Sequence, residues 1–406
     1  MSGPPFKSYP KDRPKSQNTL TLTLVGLSRG GAGIAKVQDG DRERIVFVPL
    51  TMPGDVVEAE IYLREKRYDF ARVVRFISHS PMREKPQCSV FEKCGGCAWQ
   101  HVPYSEQWRV KSEGVLNALA RAQVKVPALR HSDWELFPAP EPYHYRNRIQ
   151  LRESLGRFGF FARGSQELVP LPESGCAVAR PEINELLGNV RVPNGVRNDQ
   201  RGYRKLEIEV DSAGKTHETW NSPHAALGFR QVNDRANESM LRWIQSHLTP
   251  ILEAGKNHSI LDLYGGSGNL SRALWDFTER VELVDLSIPN GLKVPPHVKV
   301  HRESTAKWLL SSAAHATKKT YSRPVGRKIA ILDPPREGIE SPFKLILALK
   351  ELQVHTLCFI HCDPDSHARD LHKAIQHGYE WRTGAIFDFF PQTPHVEVGA
   401  ILSLRQ

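Results

Sequence analysis

The sequence predicts an α/β domain on a mostly parallel sheet in its C-terminal part, preceded by two β-rich segments, the first of them a small barrel. Three observations carry this prediction. From Phe229 onward, helical patterns alternate with the short apolar runs SILDLY, VELVDL, KIAILD, TLCFIH and VGAILSL, as strand–helix units require. From Asn18, the alternating strands LTLTLVGL and VVEAEIYLR are separated by the turn-rich segments SRGGAG and QDGDRE, with no helical period. Between them, residues 143–225 hold the irregular β-type stretches YHYRNRIQLR, GRFGFFARG and KLEIEV. A chain of 406 residues also exceeds what one core usually supports, so two or three domains are expected.

Taken in order, residues 1–17 read as a flexible basic tail without the apolar core of a secretory signal. No later run approaches the roughly 18 apolar residues of a membrane span, so a cytoplasmic protein with no membrane partner is expected. The barrel occupies 18–80. It carries REKRYDFARVVRF, in which Arg64, Lys66, Arg67, Arg72 and Arg75 interleave with Tyr68, Phe70 and Phe76. Such a strand pair can meet phosphates with its charges and stack bases on its rings, although rings in a barrel also serve as core. A net charge of +10 suits the same polyanionic partner. A central segment, 81–225, opens with SPMREKPQC and then CSVFEKCGGCAWQH, three thiols within ten residues of a chain that has six cysteines. In a reducing compartment, clustered thiols indicate metal or redox chemistry, and four thiolates suit either an iron–sulfur cluster or zinc. Apolar residues Trp108, Val115, Leu116 and Leu119 predict a helix over 104–122.

The last segment, 226–406, carries the chemistry. SILDLYGGSGNLS is a strand entering a glycine-rich turn and then a helix, with Asp262, Gly266 and Gly268 in the pattern D-x-x-x-G-x-G. Glycines let the backbone approach a ligand, and a helix start offers free N–H groups. About 20 residues on, Asp285 ends VELVDL, where a carboxylate can bind ribose hydroxyls. Asp333, at the tip of ILDPPREGI, should face the same crevice, because ligands of open α/β sheets bind beyond the strands' carboxyl ends. In TLCFIHCDPDSHARD, Cys358 reads as a buried small hydrophobe and Cys362 as a thiol at a strand end. Glu397 in PHVEVGAIL sits among apolar neighbours, where burial raises a carboxyl towards a usable base.

On these motifs, the chain from residue 18 onward resembles the RNA (uracil-5-)-methyltransferase family, and within it the iron–sulfur branch that methylates ribosomal RNA. The resemblance implies a Rossmann-like class I methyltransferase domain behind a TRAM-type, OB-like RNA-binding barrel and a central iron–sulfur domain. It implies that Cys88, Cys94, Cys97 and Cys176 hold a [4Fe-4S] cluster of structural role. It further implies that Gln231 of FRQVN, Tyr264, Asn269, Asp285, Ser304 and Asp333 line the S-adenosylmethionine pocket. Cys362 matches the family nucleophile, which adds to uracil C6, and Glu397 matches the proton acceptor at C5. The target uridine must then be single-stranded or flipped from its stack. The implied substrate is 23S rRNA, with tRNA as the alternative, and the protein is expected to act as a monomer.

Three departures from the family pattern stand out. Gly265 replaces a usual Cys, and HCDP replaces the commoner SCNP, setting a carboxylate beside Cys362. The chain also runs from VELVDLS into IPNGLKVPPHVKV, whose prolines exclude the usual helix and remove one wall near the adenosine site. The rival expectation is therefore a non-catalytic RNA-binding or ribosome-assembly factor on the same scaffold, for which Cys362, Glu397, Asp333 and Gln231 would be needless.

Overall fold

The computed structural model describes residues 19–124, 130–222, 230–254, 257–317 and 326–405; the tail at 1–17 and Phe229 lie outside them. The chain opens with β1 (Thr19–Leu27), β2 (Gly33–Asp39), β3 (Arg42–Val48), β4 (Val56–Arg64) and β5 (Tyr68–Ser78). Helix α1 (Tyr104–Arg121) and β6 (Glu135–Phe137) follow, then β7 (Arg148–Ser154), β8 (Arg157–Phe161), β9 (Leu168–Pro170), α2 (Pro181–Leu187), β10 (Arg204–Val210) and β11 (Thr216–Trp220). The remainder holds α3 (Asp234–Glu253), β12 (Ser259–Leu263), β13 (Arg280–Val284), β14 (Val298–His301), α4 (Thr305–Thr317) and β15 (Lys328–Leu332). It ends with α5 (Pro342–Glu351), β16 (Val354–His361), α6 (Pro364–Gln376), β17 (Tyr379–Phe387) and β18 (Glu397–Leu404). No described helix is long and apolar enough to cross a membrane.

These elements form two compact units. One comprises Met1–Lys111, Glu141–Leu227 and Phe390–Pro394; the other comprises Ser112–Pro140, Gly228–Phe389 and His395–Gln406. In the first, β1 to β5 close a barrel in the order β1-β2-β3-β5-β4. The period of two in LTLTLVGL explains its lining: Leu22 and Leu24 are buried while Thr21 and Thr23 face out, and Ala35, Val46, Val57 and Ala71 complete the core. The interleaved rings do not all reach the surface. Phe70 is buried against Phe47 and Tyr62, which removes it from base stacking, and Phe76 lies under the guanidinium of Arg83 at 4.7 Å. Arg72 and Arg75 pair with Glu60 and Glu58, whereas Arg64, Lys66 and Arg67 are exposed. The same unit contains a five-stranded sheet in the order β11-β10-β7-β8-β9.

The second unit is built on an eight-stranded sheet, β14-β13-β12-β15-β16-β18-β17-β6. From β14 to β16 neighbouring strands are parallel, while β18 pairs antiparallel with both β16 and β17. The chain leaves β12 towards one edge and resumes at β15 on its other side, so the switch point lies between these two strands. Two features of the sheet have no counterpart in the sequence reading. The segment Ser112–Pro140 belongs to this unit rather than to the central β-rich one, because β6 adds in parallel to β17 and Phe137 stacks on Phe387 at 4.7 Å. After the glycine-rich turn, the expected helix is only a six-residue 3-10 turn, Arg272–Phe277. Ser271 Oγ, at its start, donates to buried Asp262 and accepts from Trp275 Nε1, while Arg272 N–H and Leu274 N–H reach the Gly268 and Ser271 carbonyls at 2.9 and 2.8 Å. Between β13 and β14 the described residues hold no helix, as Pro289, Pro295 and Pro296 require.

Candidate active site

The carboxyl ends of β12, β13, β15 and β16 lead into Tyr264, Asp285, Asp333 and Cys362, and backbone hydrogen bonds tie these ends to their neighbours. Asp333 N–H reaches the Leu263 carbonyl at 3.3 Å, Gly265 N–H reaches Val284 at 3.3 Å, and Asp285 N–H reaches His301 at 3.1 Å. Tyr264 takes φ +60°, a left-handed conformation that side chains other than glycine seldom adopt. Its N–H donates to Thr305 Oγ1 at 3.3 Å. Asp285 joins the turn directly: its Oδ2 accepts from Gly266 N–H at 3.1 Å and its Oδ1 from Ser287 N–H at 2.7 Å. Asn269 exchanges two amide hydrogen bonds with Asn237 of α3, at 2.9 and 3.1 Å. Ser304 precedes α4 and its Oγ accepts weakly from Lys307 N–H at 3.4 Å. Gln231 stands two residues before Asn233, whose side chain caps α3 through Ala236 N–H at 3.1 Å. Asn237 and Thr305 carry no sequence signal of this role; they emerge only from the contacts.

The crevice is crowded with carboxylates. Burial and the charges of its neighbours push Asp262 up to about 7, and burial with Asp262 and Asp285 does the same for Asp333. Burial also pushes the Tyr264 phenol up to about 12. A site where acids disfavour one another's ionisation suits a cationic ligand. S-adenosylmethionine, with its sulfonium and ammonium, fits that electrostatic demand, and the open space over Gly266 leaves the turn approachable.

Gly265 is fitted to its surroundings. A Cβ there would lie 2.5 Å from Leu283 Cδ1 and 2.6 Å from Asp262 Cγ. Gly265→Cys is therefore expected to lower stability by about 1–3 kcal/mol through overpacking, measured by urea denaturation. An unchanged midpoint would show that the strand ends yield.

The nucleophile and base candidates meet through strand register. His361, the last residue of β16, pairs with Val398 of β18, so Cys362 just after it and Glu397 just before Val398 lie at the same end of the ladder. Glu397 is buried, and burial followed by the Asp333 charge holds its carboxyl well above the ordinary range. The Cys362 thiol is pushed up to about 12, first by burial and then by Glu397 and Asp333; the Arg336 guanidinium works the other way. Asp363 contributes least to that rise, because its side chain turns to cap α6, accepting from Asp365 N–H at 2.9 Å and Ser366 N–H at 3.0 Å. Asp363→Asn should keep the cap and hold stability within about 0.5 kcal/mol, whereas Asp363→Ala should cost about 1 kcal/mol. Iodoacetamide alkylation of Cys362 at pH 8 should accelerate in the Asn variant; a slower reaction would mean the carboxylate favours the thiolate. Cys358 is fully buried, as its apolar run predicts.

In the other unit, Cys88, Cys94, Cys97 and Cys176 line one cavity of about 110 Å³ with Phe91, Phe160 and Leu171. All four are free thiols. Burial pushes Cys97 up to about 12 and raises Cys94 and Cys176, and the thiols raise one another through charge. Backbone contacts fix them: Gln100 Oε1 accepts from Cys88 N–H at 3.0 Å, and Asn184 of α2 brackets Cys176 at 2.9 and 3.1 Å. Among the described residues, no three His, Cys, Asp or Glu side chains converge closely enough to hold a single metal ion.

Known proteins resemble this chain along most of its length. A family model described as tRNA (Uracil-5-)-methyltransferase matches residues 325–405, which include Asp333, Cys362 and Glu397. An uncharacterized RNA methyltransferase of Bdellovibrio bacteriovorus is 30% identical over 395 residues, covering 94% of each chain. The 23S rRNA (uracil(1939)-C(5))-methyltransferase of Halomonas elongata is 29% identical, over 94% of this chain and 89% of its own. Among solved structures, Pyrococcus abyssi tRNA (uracil-54, C5)-methyltransferase, in complex with S-adenosyl-L-homocysteine, superposes with a TM-score of 0.64. It covers 94% of this chain and 99% of that one at 19% identity, a likeness of fold.

Proposed function

The chain belongs to the RNA (uracil-5-)-methyltransferase family, and from that membership we propose that it methylates C5 of a uridine in RNA through a covalent adduct on Cys362. The observation that supports this most is the β16–β18 register, which brings Cys362 and Glu397 to the same end of the ladder, with Asp333 close enough to act on both. S-adenosylmethionine supplies the methyl group as an electrophilic sulfonium. Uracil C5 is too weak a nucleophile to take it unaided. Cys362 therefore adds through its thiolate to C6, which pushes an electron pair to C5 as an enolate. C5 then attacks the methyl carbon, and the methyl–sulfur bond breaks to release S-adenosyl-L-homocysteine. Glu397 accepts the C5 proton, the C5–C6 double bond re-forms, and the Cys362 thiolate leaves 5-methyluridine. Gln231, Tyr264, Asn269, Asp285, Ser304 and Asp333 are assigned to the methyl donor.

Burial and neighbouring carboxylate charge, Asp333 for both and Glu397 for the thiol, favour the neutral forms of Cys362 and Glu397, while the reaction uses their ionised forms. The rate at subsaturating RNA should accordingly rise with pH from 6.5 to 9, by up to ~10-fold per unit where one ionisation limits. A rate that falls over this range would contradict the pairing. RNA carrying 5-fluorouridine tests the adduct itself, since C5 then has no proton to lose. Native protein with S-adenosylmethionine should form a denaturant-resistant conjugate at Cys362; a conjugate at another residue would overturn the assignment.

Ribosomal RNA is the substrate class this reading favours, because several of the curated relatives are named as 23S rRNA (uracil(1939)-C(5))-methyltransferases, at 25–29% identity. Its setting is that of a cytoplasmic monomer, with the barrel as a TRAM-like RNA contact. Cys88, Cys94, Cys97 and Cys176 are assigned to a [4Fe-4S] cluster. What supports the assignment is that the four thiols line one cavity, a donor set whose chemistry suits an iron–sulfur cluster or zinc. Anaerobically purified protein should contain about four irons, lost in Cys176→Ser; stoichiometric zinc without iron would overturn this.

A further inference from the structure

Cys362 is flanked on both sides by groups that α6 holds. On one side, Asp363 caps the helix. On the other, His361 is fully buried at the end of β16, and its Nε2 lies 3.0 Å from Oδ2 of Asp370, a buried residue two turns into α6. The same Asp370 oxygen accepts from Ile339 N–H at 2.7 Å, and its other oxygen accepts from Arg369 Nε at 2.7 Å. Ile339 belongs to the loop that begins at Asp333 and carries Arg336. That loop passes so close that a Cβ on Gly338 would lie 2.6 Å from Asp370 Oδ2, and Gly338 takes φ +80°. One carboxylate thus ties together the residue before the nucleophile, the loop after β15 and the helix after the nucleophile.

The protons of this cluster are constrained as well. His361 Nδ1 faces His367 Nδ1 at 3.3 Å, so only one of the two nitrogens can carry the shared hydrogen. Burial, and then the His361 charge, push His367 well below the ordinary histidine range, and its Nε2 has no hydrogen-bond partner in the structure. A neutral His367 donating from Nδ1 leaves His361 free to donate from Nε2 to Asp370. The sequence HCDP supplies the histidine where the family resemblance leads one to expect serine.

The geometry points to His361 and Asp370 as positioning residues that clamp Cys362 between β16 and α6 in the attitude needed to reach uracil C6. The inference rests on Cys362 being the nucleophile. A clamp of this kind acts on geometry at the reacting atom, where a displacement of about 1 Å can cost on the order of 100-fold. It meets the methyl-donor crevice only through the loop after Asp333 and through the Asp370 charge, which acts on the Tyr264 phenol.

The test compares native protein with His361→Leu, His361→Gln and Asp370→Asn in full-length form, each checked by thermal melting. Gln can present an N–H near the position of Nε2, whereas Leu cannot. Conjugate formation with 5-fluorouridine RNA should slow ~10- to 100-fold in His361→Leu. The Michaelis constant for S-adenosylmethionine should stay within twofold, and His361→Gln should return to within about threefold of native. Asp370→Asn should behave like His361→Leu. Equal loss in the Leu and Gln variants, or a native rate in a folded His361→Leu protein, would overturn the proposal. Iodoacetamide labelling of Cys362, read by peptide mass spectrometry, separates this from the functional reading because it needs no RNA. Release of the clamp should raise the labelling rate at least ~3-fold in His361→Leu and not in His361→Gln. If native protein forms no conjugate with any RNA, the methylation reading fails, and the labelling comparison still decides whether the clamp exists; equal labelling in all variants sinks it.

Discussion

Cys362→Ala is expected to lower 5-methyluridine formation by ~10³-fold or more while leaving S-adenosylmethionine binding within twofold of native. The size of the loss follows from the chemistry: without addition at C6 there is no enolate at C5, and no other residue assigned here can supply one. Binding should survive because Cys362 is not among the residues assigned to the donor, and of those Tyr264, Asp285 and Asp333 follow β12, β13 and β15 and are held by their own backbone contacts, while Thr305 and Asn237 hold Tyr264 and Asn269. Nucleoside mass spectrometry measures the first quantity and calorimetric titration the second. Retained methylation would remove Cys362 from the mechanism. Loss of both activity and binding would assign it a structural role.

Glu397→Gln should stop the reaction one step later. Glutamine keeps the volume of this buried carboxyl, so β18 should keep its register with β16 and β17. Addition and methyl transfer remain available, but the C5 proton has no acceptor. Turnover should fall ~10²- to 10⁴-fold, and methylated RNA should accumulate as a denaturant-stable conjugate on Cys362. The substitution also removes the second-largest influence raising the Cys362 thiol, so iodoacetamide should label Cys362 faster than in native protein. Lost turnover without a conjugate would mean that Glu397 acts before methyl transfer.

The legible parts of the fold are those in which burial leaves a local pattern. Strands β12, β13, β15, β16 and β18 are covered on both faces and read as short apolar runs, each bounded by a turn or an acid. The threonine–leucine alternation of β1 marks the barrel for the same reason. Strands β6 and β14, of three and four residues, leave no period to count, and β17 begins with the polar YEWRT before its buried end. The inward turn of Phe70 and the truncation of the helix after Asn269 are decided by tertiary contacts, with Phe47 and Tyr62 in one case and Asp262 with Trp275 in the other. Position within the site divides similarly. Asp285 and Asp333 are readable because acids at parallel strand ends share a crevice. The meeting of Cys362 with Glu397 depends on an antiparallel register between strands separated by α6 and β17, which no local spacing encodes; there the family resemblance supplied the pair. His361, His367 and Asp370 look like ordinary residues of a strand end and a helix until their distances are known.

The most direct test of the account is nucleoside mass spectrometry of unmodified 23S rRNA and unmodified tRNA after incubation with native, iron-loaded protein and S-adenosylmethionine. The account predicts 5-methyluridine in the 23S rRNA. Its absence from both RNAs, with the RNA still bound, would contradict the methyltransferase reading and leave an RNA-binding protein on a methyltransferase scaffold.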